Sequence, residues 1–241
     1  MKTIAVIPAR FSATRFPGKL MEKIGDKSII RMVYENAVAT KLFDDVLVVT
    51  DSEIILEEII LNGGAAVKSK REHQSGSDRI AEAVADMDVD IVVNIQGDEP
   101  FIIKEPLTAL LKSFEDPLVQ VSSIMKKFSS DEDPLNPNLV KVVTDKYSNA
   151  LYFSRAPIPF SRNSEDSAPL FRHICVYAYR KKTLLDFTSW PASALEKTEM
   201  LEQLRYLENG LTIRMVETTT SSIGIDTPED LENARAYFQS I

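Results

Sequence analysis

Cysteine and histidine are scarce in this chain, which has one cysteine and two histidines among its 241 residues. Cys175 has no second cysteine to pair with, so an intrachain disulfide is excluded. With only His73 and His173 beside it, a zinc site built from cysteine and histidine is excluded too. We expect Cys175 to be a buried structural thiol rather than a nucleophile, because free cysteines pack as small apolar side chains.

Long apolar runs are also missing from the sequence. None approaches the roughly 18 residues that a membrane-spanning helix requires. The apolar stretch at residues 4–7 ends at Pro8, so it is shorter than the core of about 7 to 15 residues in a secretory signal. The sequence therefore predicts a cytoplasmic protein without a membrane partner.

The charge of the chain is negative overall but uneven along its length. A formal net charge of −8 argues against nucleic acid as a partner. Residues 1–31 nevertheless carry seven basic side chains against two acidic ones. A cationic patch on an acidic protein favours a small anionic ligand over a polyanion.

Short apolar runs alternate with helical patterns in the first part of the chain. The runs cover residues 4–7, 46–49 and 91–95, and helical spacing covers residues 29–37 and 54–61. Continuous hydrophobicity is typical of strands buried on both faces of a parallel sheet. The alternation predicts an α/β fold with a doubly wound, mostly parallel sheet.

The middle of the chain has the pattern of short strands. Residues 139–145, 150–153 and 174–179 are predicted strands. We interpret them as a β-rich insertion at about residues 136–180 within a single domain that spans residues 1–241.

Two helices are predicted in the last part of the chain, at residues 193–209 and 228–239. The second begins with Thr227, Pro228 and Asp230. These residues supply a helix cap, a proline at the first helical position and the carboxylate of a capping box.

The loop at residues 8–19 carries Arg10, Arg15 and Lys19 directly after the first predicted strand. Open α/β sheets bind ligands at the carboxyl ends of their strands, and arginine and lysine are suited to phosphate oxygens. The loop has neither a Walker A motif nor a G-x-G-x-x-G motif. On its own it is therefore equally a phosphate site or a solvated surface.

A carboxylate, Asp98, follows the strand that ends at residue 95. This position suits a ligand for Mg²⁺ bound to phosphates, and Gly97 permits close backbone approach, although an ordinary polar turn has the same pattern. Asp226 offers a second oxygen ligand, but local sequence alone favours an extension of the helix cap. Residues 88–90 form a D-x-D that precedes its strand, so we interpret them as a connection.

Ser75 and Asp78 match a capping box at the start of a predicted helix at residues 78–88. A structural role explains them, and a helix N-terminus is also an anion site.

Several polar side chains of the C-terminal half share a predicted face. His173 and Tyr177 are four residues apart on a predicted strand. Glu202 and Gln203 follow Glu199 by three and four residues on a predicted helix, where such a row is usually a solvated face.

Nine sequence blocks, in order over nearly the whole chain, closely resemble those of the 3-deoxy-manno-octulosonate cytidylyltransferases, or CMP-KDO synthetases. The blocks are residues 7–10, 15–19, 73–76, 94–100, 136–138, 150–155, 172–173, 199–205 and 224–231.

The resemblance implies a nucleotidyltransferase fold with a β-rich insertion that forms a homodimer. It also implies an activity that transfers CMP from CTP to 3-deoxy-D-manno-octulosonate (KDO), releases pyrophosphate and depends on Mg²⁺. The product is the activated sugar of lipopolysaccharide biosynthesis.

The resemblance further implies roles for individual side chains. The catalytic residues would be Arg15, Lys19, Asp98 and Asp226, with Asp98 and Asp226 holding Mg²⁺. The residues that bind CTP would be Ala9, Arg10, Thr14, Arg15, Lys19, Gln74, Ser75, Gly76 and Arg79. The residues that bind the sugar acid would be Gln96, Arg155, His173, Tyr177, Glu199, Glu202 and Gln203.

The chain departs from the family pattern at Ser12 and Ala13, where the family commonly has alanine and then serine. A hydroxyl contact to phosphate from position 13 is therefore not expected, and Ser12 or Thr14 would replace it.

The nearest rival interpretation is a CMP-sialate synthetase, and a close analogue of KDO, such as an amino sugar acid, is also open as the substrate. A glycosyltransferase is disfavoured, because it would need a D-x-D after a strand and the one at residues 88–90 precedes its strand. A nucleotide-sensing module would be expected to lack one of the two aspartates.

Overall fold

The computed structural model describes residues 1–12, 16–73, 75–162, 168–220 and 223–240. The chain divides into two compact units. The first unit comprises residues 1–104 and 222–241, and the second comprises residues 105–221. The single domain expected from the sequence stays a prediction.

The first unit contains six strands and four α-helices in its described part. They are β1 (Thr3–Ala9), β2 (Lys23–Ile24), β3 (Lys27–Ser28), α1 (Ile29–Ala39), β4 (Asp45–Thr50), α2 (Glu53–Leu61), β5 (Ala66–Lys68), α3 (Gly76–Val84), β6 (Ile91–Asn94) and α8 (Pro228–Ser240).

Four strands of the first unit form a parallel array in the order β6–β1–β4–β5. Ile4, Val6 and Ile7 of β1 are fully buried, as continuous hydrophobicity predicts for a strand covered on both faces. Helices α1 and α2 pack on β4, and α3 packs on β1 and β4. The predicted alternation of strands and helices is confirmed here, although α3 begins and ends earlier than the predicted helix at residues 78–88.

The parallel direction decides where the loops of this unit lie. Strands β1, β4 and β6 end at Ala9, Thr50 and Asn94, so the segments that follow them emerge at the same edge of the array. This edge carries the first set of site residues.

The second unit contains five strands and four α-helices in its described part. They are α4 (Lys104–Lys112, whose first residue belongs to the first unit), β7 (Val121–Lys127), β8 (Lys141–Thr144), β9 (Ala150–Ser154), β10 (Phe171–Arg180), α5 (Lys181–Ser189), α6 (Ala194–Glu199), α7 (Leu204–Glu208) and β11 (Ile213–Thr218).

The strands of the second unit pair in the order β11–β7–β10–β8–β9. Among these four pairs of described strands, β11–β7 is parallel and the other three are antiparallel. The predicted β-rich character of residues 136–180 is confirmed by β8, β9 and β10. In neither unit does a described helix have the length and apolar content that crossing a membrane requires.

The prediction of one helix over residues 193–209 is wrong. The chain forms two short helices, α6 and α7, and Met200 between them has a left-handed backbone with φ of 54°. The cause lies far away in sequence, because the Arg155 guanidinium donates hydrogen bonds to the backbone carbonyls of Glu199 (2.7 Å) and Met200 (3.2 Å). These carbonyls are thereby turned to Arg155 at the end of α6.

The expectation that Cys175 is buried is also wrong, because its side chain is exposed. The register between β10 and β7 shifts between Ile174 and Tyr177, so Cys175 lies within a bulge of β10. A bulge re-aims the side chains of the strand that carries it.

Candidate active site

Lys19 lies at the centre of the charged cluster in the first unit. Its ammonium donates to Asp98 Oδ2 (2.5 Å), to Asp226 Oδ1 (3.1 Å) and to the Ile225 carbonyl (2.8 Å). These three bonds match the three donors of an ammonium group. Lys19 follows β1, Asp98 follows β6, and Asp226 precedes α8, so one cation joins three distant segments of the chain.

Two glycines make this convergence possible. Gly18 has φ of 73° and donates its backbone N–H to the Phe11 carbonyl, so the chain reverses just before Lys19. A Cβ atom at Gly97 would lie 3.2 Å from the Pro8 carbonyl oxygen, which is tighter than ordinary contact. The loops after β1 and β6 therefore approach more closely than a side chain at position 97 would allow.

The donor atoms at this cluster fit a magnesium ion. Asp98 and Asp226 already converge on one cation, the Lys19 ammonium. Proteins commonly bind Mg²⁺ through one or two carboxylates together with substrate phosphates. In the described part of the chain, no group of three or more His, Cys, Asp or Glu residues is arranged to hold a metal ion alone. The assignment of Asp98 and Asp226 to Mg²⁺ stays a prediction.

A cavity of about 320 Å³ opens in the first unit. It is lined by Pro8, Ala9, Arg10, His73, Ser75, Gly76, Arg79 and Gln96. Five of these residues were expected to bind CTP, and Gln96 was expected to bind the sugar acid. The structure therefore brings together most of the predicted nucleotide residues that it describes.

Arg79 braces the wall of this cavity. It is 5% exposed, and it donates to the Ala9 carbonyl (3.2 Å) and to the Asp51 carboxylate (2.7 Å). Ala9 ends β1 and Asp51 follows β4, so the guanidinium links the ends of two strands. Asp51 was missed in the sequence, where a single aspartate after a strand is not a distinctive signal.

The N-terminus of α3 borders the same cavity. Ser75 caps it by accepting a hydrogen bond from the Asp78 backbone N–H, which confirms the structural interpretation of this pair. Gly76 is the first residue of the helix. The orphan N–H groups of a first helical turn, together with the helix dipole, favour an anion.

Three of the predicted nucleotide residues, Thr14, Arg15 and Gln74, lie outside the described residues. Ala13, the site of the departure from the family pattern, lies outside them as well.

In the second unit, Arg155 and Glu199 are brought together. Ser154 Oγ and the Arg155 backbone N–H donate to the two Glu199 carboxylate oxygens, at 2.7 and 2.9 Å. The Arg155 guanidinium also donates to the Pro137 carbonyl at 2.9 Å. Arg155 thus positions backbone, while the Glu199 oxygens keep lone pairs for further donors.

A buried lysine stabilises the backbone at Arg155. Lys141 is fully buried, and its ammonium donates to the carbonyls of Arg155 (2.6 Å) and Asn136 (3.0 Å). Burial lowers the pKa of Lys141. No sequence pattern singles out Lys141, which lies in a predicted strand like its neighbours.

His173 is buried, with 6% of its surface exposed. Its Nε2 atom lies 2.8 Å from Ser123 Oγ, and its ring lies 5.0 Å from the Phe153 ring and 5.2 Å from the Tyr177 ring. Burial lowers the pKa of His173 to about 3, because the charged imidazolium loses its hydration. His173 is therefore neutral near pH 7.

The remaining predicted sugar-acid residues are Tyr177, Glu202 and Gln203. Burial raises the pKa of Tyr177 well above its ordinary value, and the negative charge of Glu202 contributes to this rise. Gln203 is 5% exposed and directly precedes α7. Tyr177 and His173 thus lie together, as their spacing predicts, whereas Glu202 and Gln203 lie between two helices instead of within one.

The sequence profile of a family described as Cytidylyltransferase matches residues 4–213. A solved structure of 4-diphosphocytidyl-2C-methyl-D-erythritol synthase from Anaerococcus prevotii has a TM-score of 0.64 at 16% identity, over 99% of each chain. At that identity the likeness supports the fold alone. Fold and profile together define the class of cytidylyltransferases.

Full-length relatives narrow this class. The 3-deoxy-manno-octulosonate cytidylyltransferases of Flavobacterium johnsoniae and Bacteroides thetaiotaomicron are 56% and 44% identical, over 100% of this chain and 100% and 99% of theirs. The structure of a CMP:2-keto-3-deoxy-manno-octonic acid synthetase in complex with CTP is 38% identical with a TM-score of 0.94, over 100% of this chain and 99% of that one. The chain belongs to the 3-deoxy-manno-octulosonate cytidylyltransferase family, and the predicted α/β nucleotidyltransferase fold is confirmed.

The burial of His173 predicts a loss of stability in acid. His173 takes up a proton near pH 6.5 in the unfolded chain and only near pH 3 in the folded chain. Its contribution to the free energy of unfolding is therefore fully present above pH 6.5 and is lost as the pH falls toward 3. At pH 4.5 this loss amounts to about 3 kcal/mol. Urea unfolding of wild type and His173→Gln at pH 7 and 4.5 measures it, since acid effects of other groups are common to both. Equal losses in the two proteins would contradict the prediction.

Proposed function

We propose that this chain transfers CMP from CTP to KDO, releasing pyrophosphate and forming CMP-KDO for lipopolysaccharide biosynthesis. The observation that carries the proposal is the full-length likeness to relatives of that name, joined to a Lys19–Asp98–Asp226 cluster suited to a triphosphate and its cation.

CTP binds to the first unit in this proposal. The cavity lined by Arg10, Ser75 and Gly76 supplies a guanidinium and the N-terminal amides of α3 for phosphate oxygens. When CTP binds, the Lys19 ammonium exchanges its bonds to Asp98 and Asp226 for bonds to the β- and γ-phosphates. Arg15 joins it there, where negative charge develops as pyrophosphate leaves.

The transfer itself is an in-line displacement. The anomeric hydroxyl of KDO forms a bond to the α-phosphorus of CTP, the bond from that phosphorus to the bridging oxygen breaks, and the hydroxyl proton passes to water. No covalent enzyme intermediate is required. Lys19 stabilises the leaving pyrophosphate electrostatically, since its compact charge faces the developing negative charge.

Asp98 and Asp226 are proposed to hold Mg²⁺. The bound ion would neutralise phosphate charge and polarise the α-phosphoryl group. The two carboxylates are already held at one place by Lys19, so little rearrangement is needed to present them to a divalent cation.

The sugar acid is proposed to bind through polar residues of the second unit. Glu199 and Glu202 supply acceptors for hydroxyl groups, and Arg155 fixes the backbone beside Glu199. His173 serves as a ligand rather than a general base, because a group with a pKa of about 3 is a weak base near pH 7.

We also propose that the protein is a homodimer and that it is located in the cytoplasm. The β-rich insertion exposes the apolar side chains of Leu151 and Phe160, which are 61% and 89% accessible. These side chains are available to an interface with a second copy, and the homodimer itself is what the family resemblance implies. The cytoplasm is where the substrate CTP is available.

The substrate can be identified by pyrophosphate release from CTP and Mg²⁺ with either KDO or sialic acid. We expect kcat/KM for KDO to exceed that for sialic acid by about 100-fold or more, because a site built for one pattern of hydroxyls leaves buried polar groups unpaired with another. Faster release with sialic acid would assign the rival substrate, and no release with either would remove the proposed activity.

The two aspartates are tested by replacing each with asparagine. Asp98→Asn and Asp226→Asn should each lower the rate of pyrophosphate release by about 100-fold or more, since a cation ligand is lost where phosphate charge must be compensated. Asp88→Asn is the matched control, because its carboxylate is 92% exposed. Circular dichroism checks that each variant is folded. A folded Asp98→Asn with the rate of wild type would exclude Asp98 from the site.

The dimer is tested at Phe160. Light scattering after size exclusion should give twice the mass of one chain for wild type and a lower average mass for Phe160→Asp, because burying an unpaired charge opposes association. Leu118→Asp is the control, since Leu118 is 81% exposed but lies outside the insertion. A monomeric wild type, or a dimer unaffected by Phe160→Asp, would contradict this role.

A further inference from the structure

Ser123 on β7 is fully buried and lies against the bulge of β10. Its hydroxyl oxygen is 2.8 Å from His173 Nε2, 2.8 Å from the Val176 carbonyl and 3.4 Å from the Ile174 carbonyl. The hydroxyl therefore contacts the imidazole and two carbonyls that the irregular pairing of β10 turns toward it.

The tautomer of the His173 ring follows from the hydrogen bonds that the Ser123 hydroxyl can make. Serine has one O–H to donate, and a carbonyl can only accept. If Ser123 donated to Nε2, its oxygen and the Val176 carbonyl would face each other at 2.8 Å with no proton between them. Both short contacts become hydrogen bonds only when His173 Nε2–H donates to Ser123 and Ser123 donates to Val176.

The other ring nitrogen then carries a lone pair. Burial keeps the ring neutral, so a proton on Nε2 leaves Nδ1 as an acceptor. The neighbour of Nδ1 is Cys175 Sγ at 3.9 Å, a weak donor that suits an acceptor. The rings of Phe153 and Tyr177 flank the imidazole and restrict its rotation.

We propose that Ser123 is a positioning residue that locks His173 in the Nε2–H tautomer, so that Nδ1 accepts a hydrogen bond from a hydroxyl group of the sugar acid in place of the weak one from Cys175 Sγ. This role rests on the proposed function for the identity of the ligand. A neutral acceptor binds a hydroxyl and repels a carboxylate, so His173 contributes to recognition of the hydroxyl pattern rather than of the acid group.

The tautomer can be measured without substrate. In protein labelled with 15N at histidine, long-range proton–nitrogen correlations distinguish the two neutral tautomers and the imidazolium. Only two histidines are present, and His173→Gln assigns their signals. We expect wild-type His173 to be a neutral Nε2–H ring at pH 7. An Nδ1–H ring or an imidazolium would overturn the proposal.

Variants of Ser123 test the cause. Ser123→Ala should give a mixture of the two tautomers, and Ser123→Thr, which keeps a hydroxyl, should restore the single Nε2–H form. Ser122→Ala is the matched control, because Ser122 is equally buried on the same strand but its hydroxyl donates to the Arg214 carbonyl. A single unchanged tautomer in folded Ser123→Ala would overturn the proposed role.

Kinetics test the consequence for the substrate. Ser123→Ala should raise KM for KDO by about 3- to 10-fold, the effect of weakening one hydrogen bond, with KM for CTP unchanged. Ser123→Thr should return KM for KDO toward the wild-type value. An altered tautomer with an unchanged KM for KDO would overturn the substrate part of the proposal. If no sugar acid is turned over, the proposed function fails while the tautomer measurement still decides the role of Ser123.

Discussion

The ion pairs of the Lys19 ammonium with Asp98 and Asp226 are the interaction on which the site in the first unit depends. Two carboxylates repel each other unless a cation lies between them. Lys19 supplies that cation and joins the loop after β1, the loop after β6 and the segment before α8. One ammonium against two carboxylates leaves a negative charge that a further cation can compensate, which is the physical basis for proposing Mg²⁺ at this place.

The second unit depends on buried and half-buried polar groups that bond mainly to the backbone. Lys141 and Arg155 direct their donors at carbonyl oxygens, and Glu199 accepts from Ser154 and from the Arg155 amide. Each such group is costly to bury without a partner, so a network that satisfies several of them has few alternative arrangements. This rigidity is what a site for a sugar with several hydroxyls requires, since its acceptors must be fixed in position before the ligand binds.

The sequence alone predicts the parallel array and the helix caps, because these are set by local patterns. Continuous hydrophobicity marks β1, β4 and β6, and the capping box before α8 is formed by Thr227 and Asp230 as predicted. No glycine or proline beside Met200 predicts the break between α6 and α7, because this break depends on Arg155, 45 residues away. Ser123 likewise belongs to no motif, and only the bulge of β10 reveals its contact with His173.

In the proposed reaction, CTP binds at the charged cluster of the first unit and the sugar acid at the acceptors of the second. CTP is cleaved between its α- and β-phosphorus atoms, and CMP is transferred to the sugar acid. The 31P NMR spectrum of the chain with CTP, KDO and Mg²⁺ tests this most directly. The account predicts a phosphodiester resonance of CMP-KDO and pyrophosphate in equal amounts. CDP with inorganic phosphate, or free CMP without a diester, would contradict it.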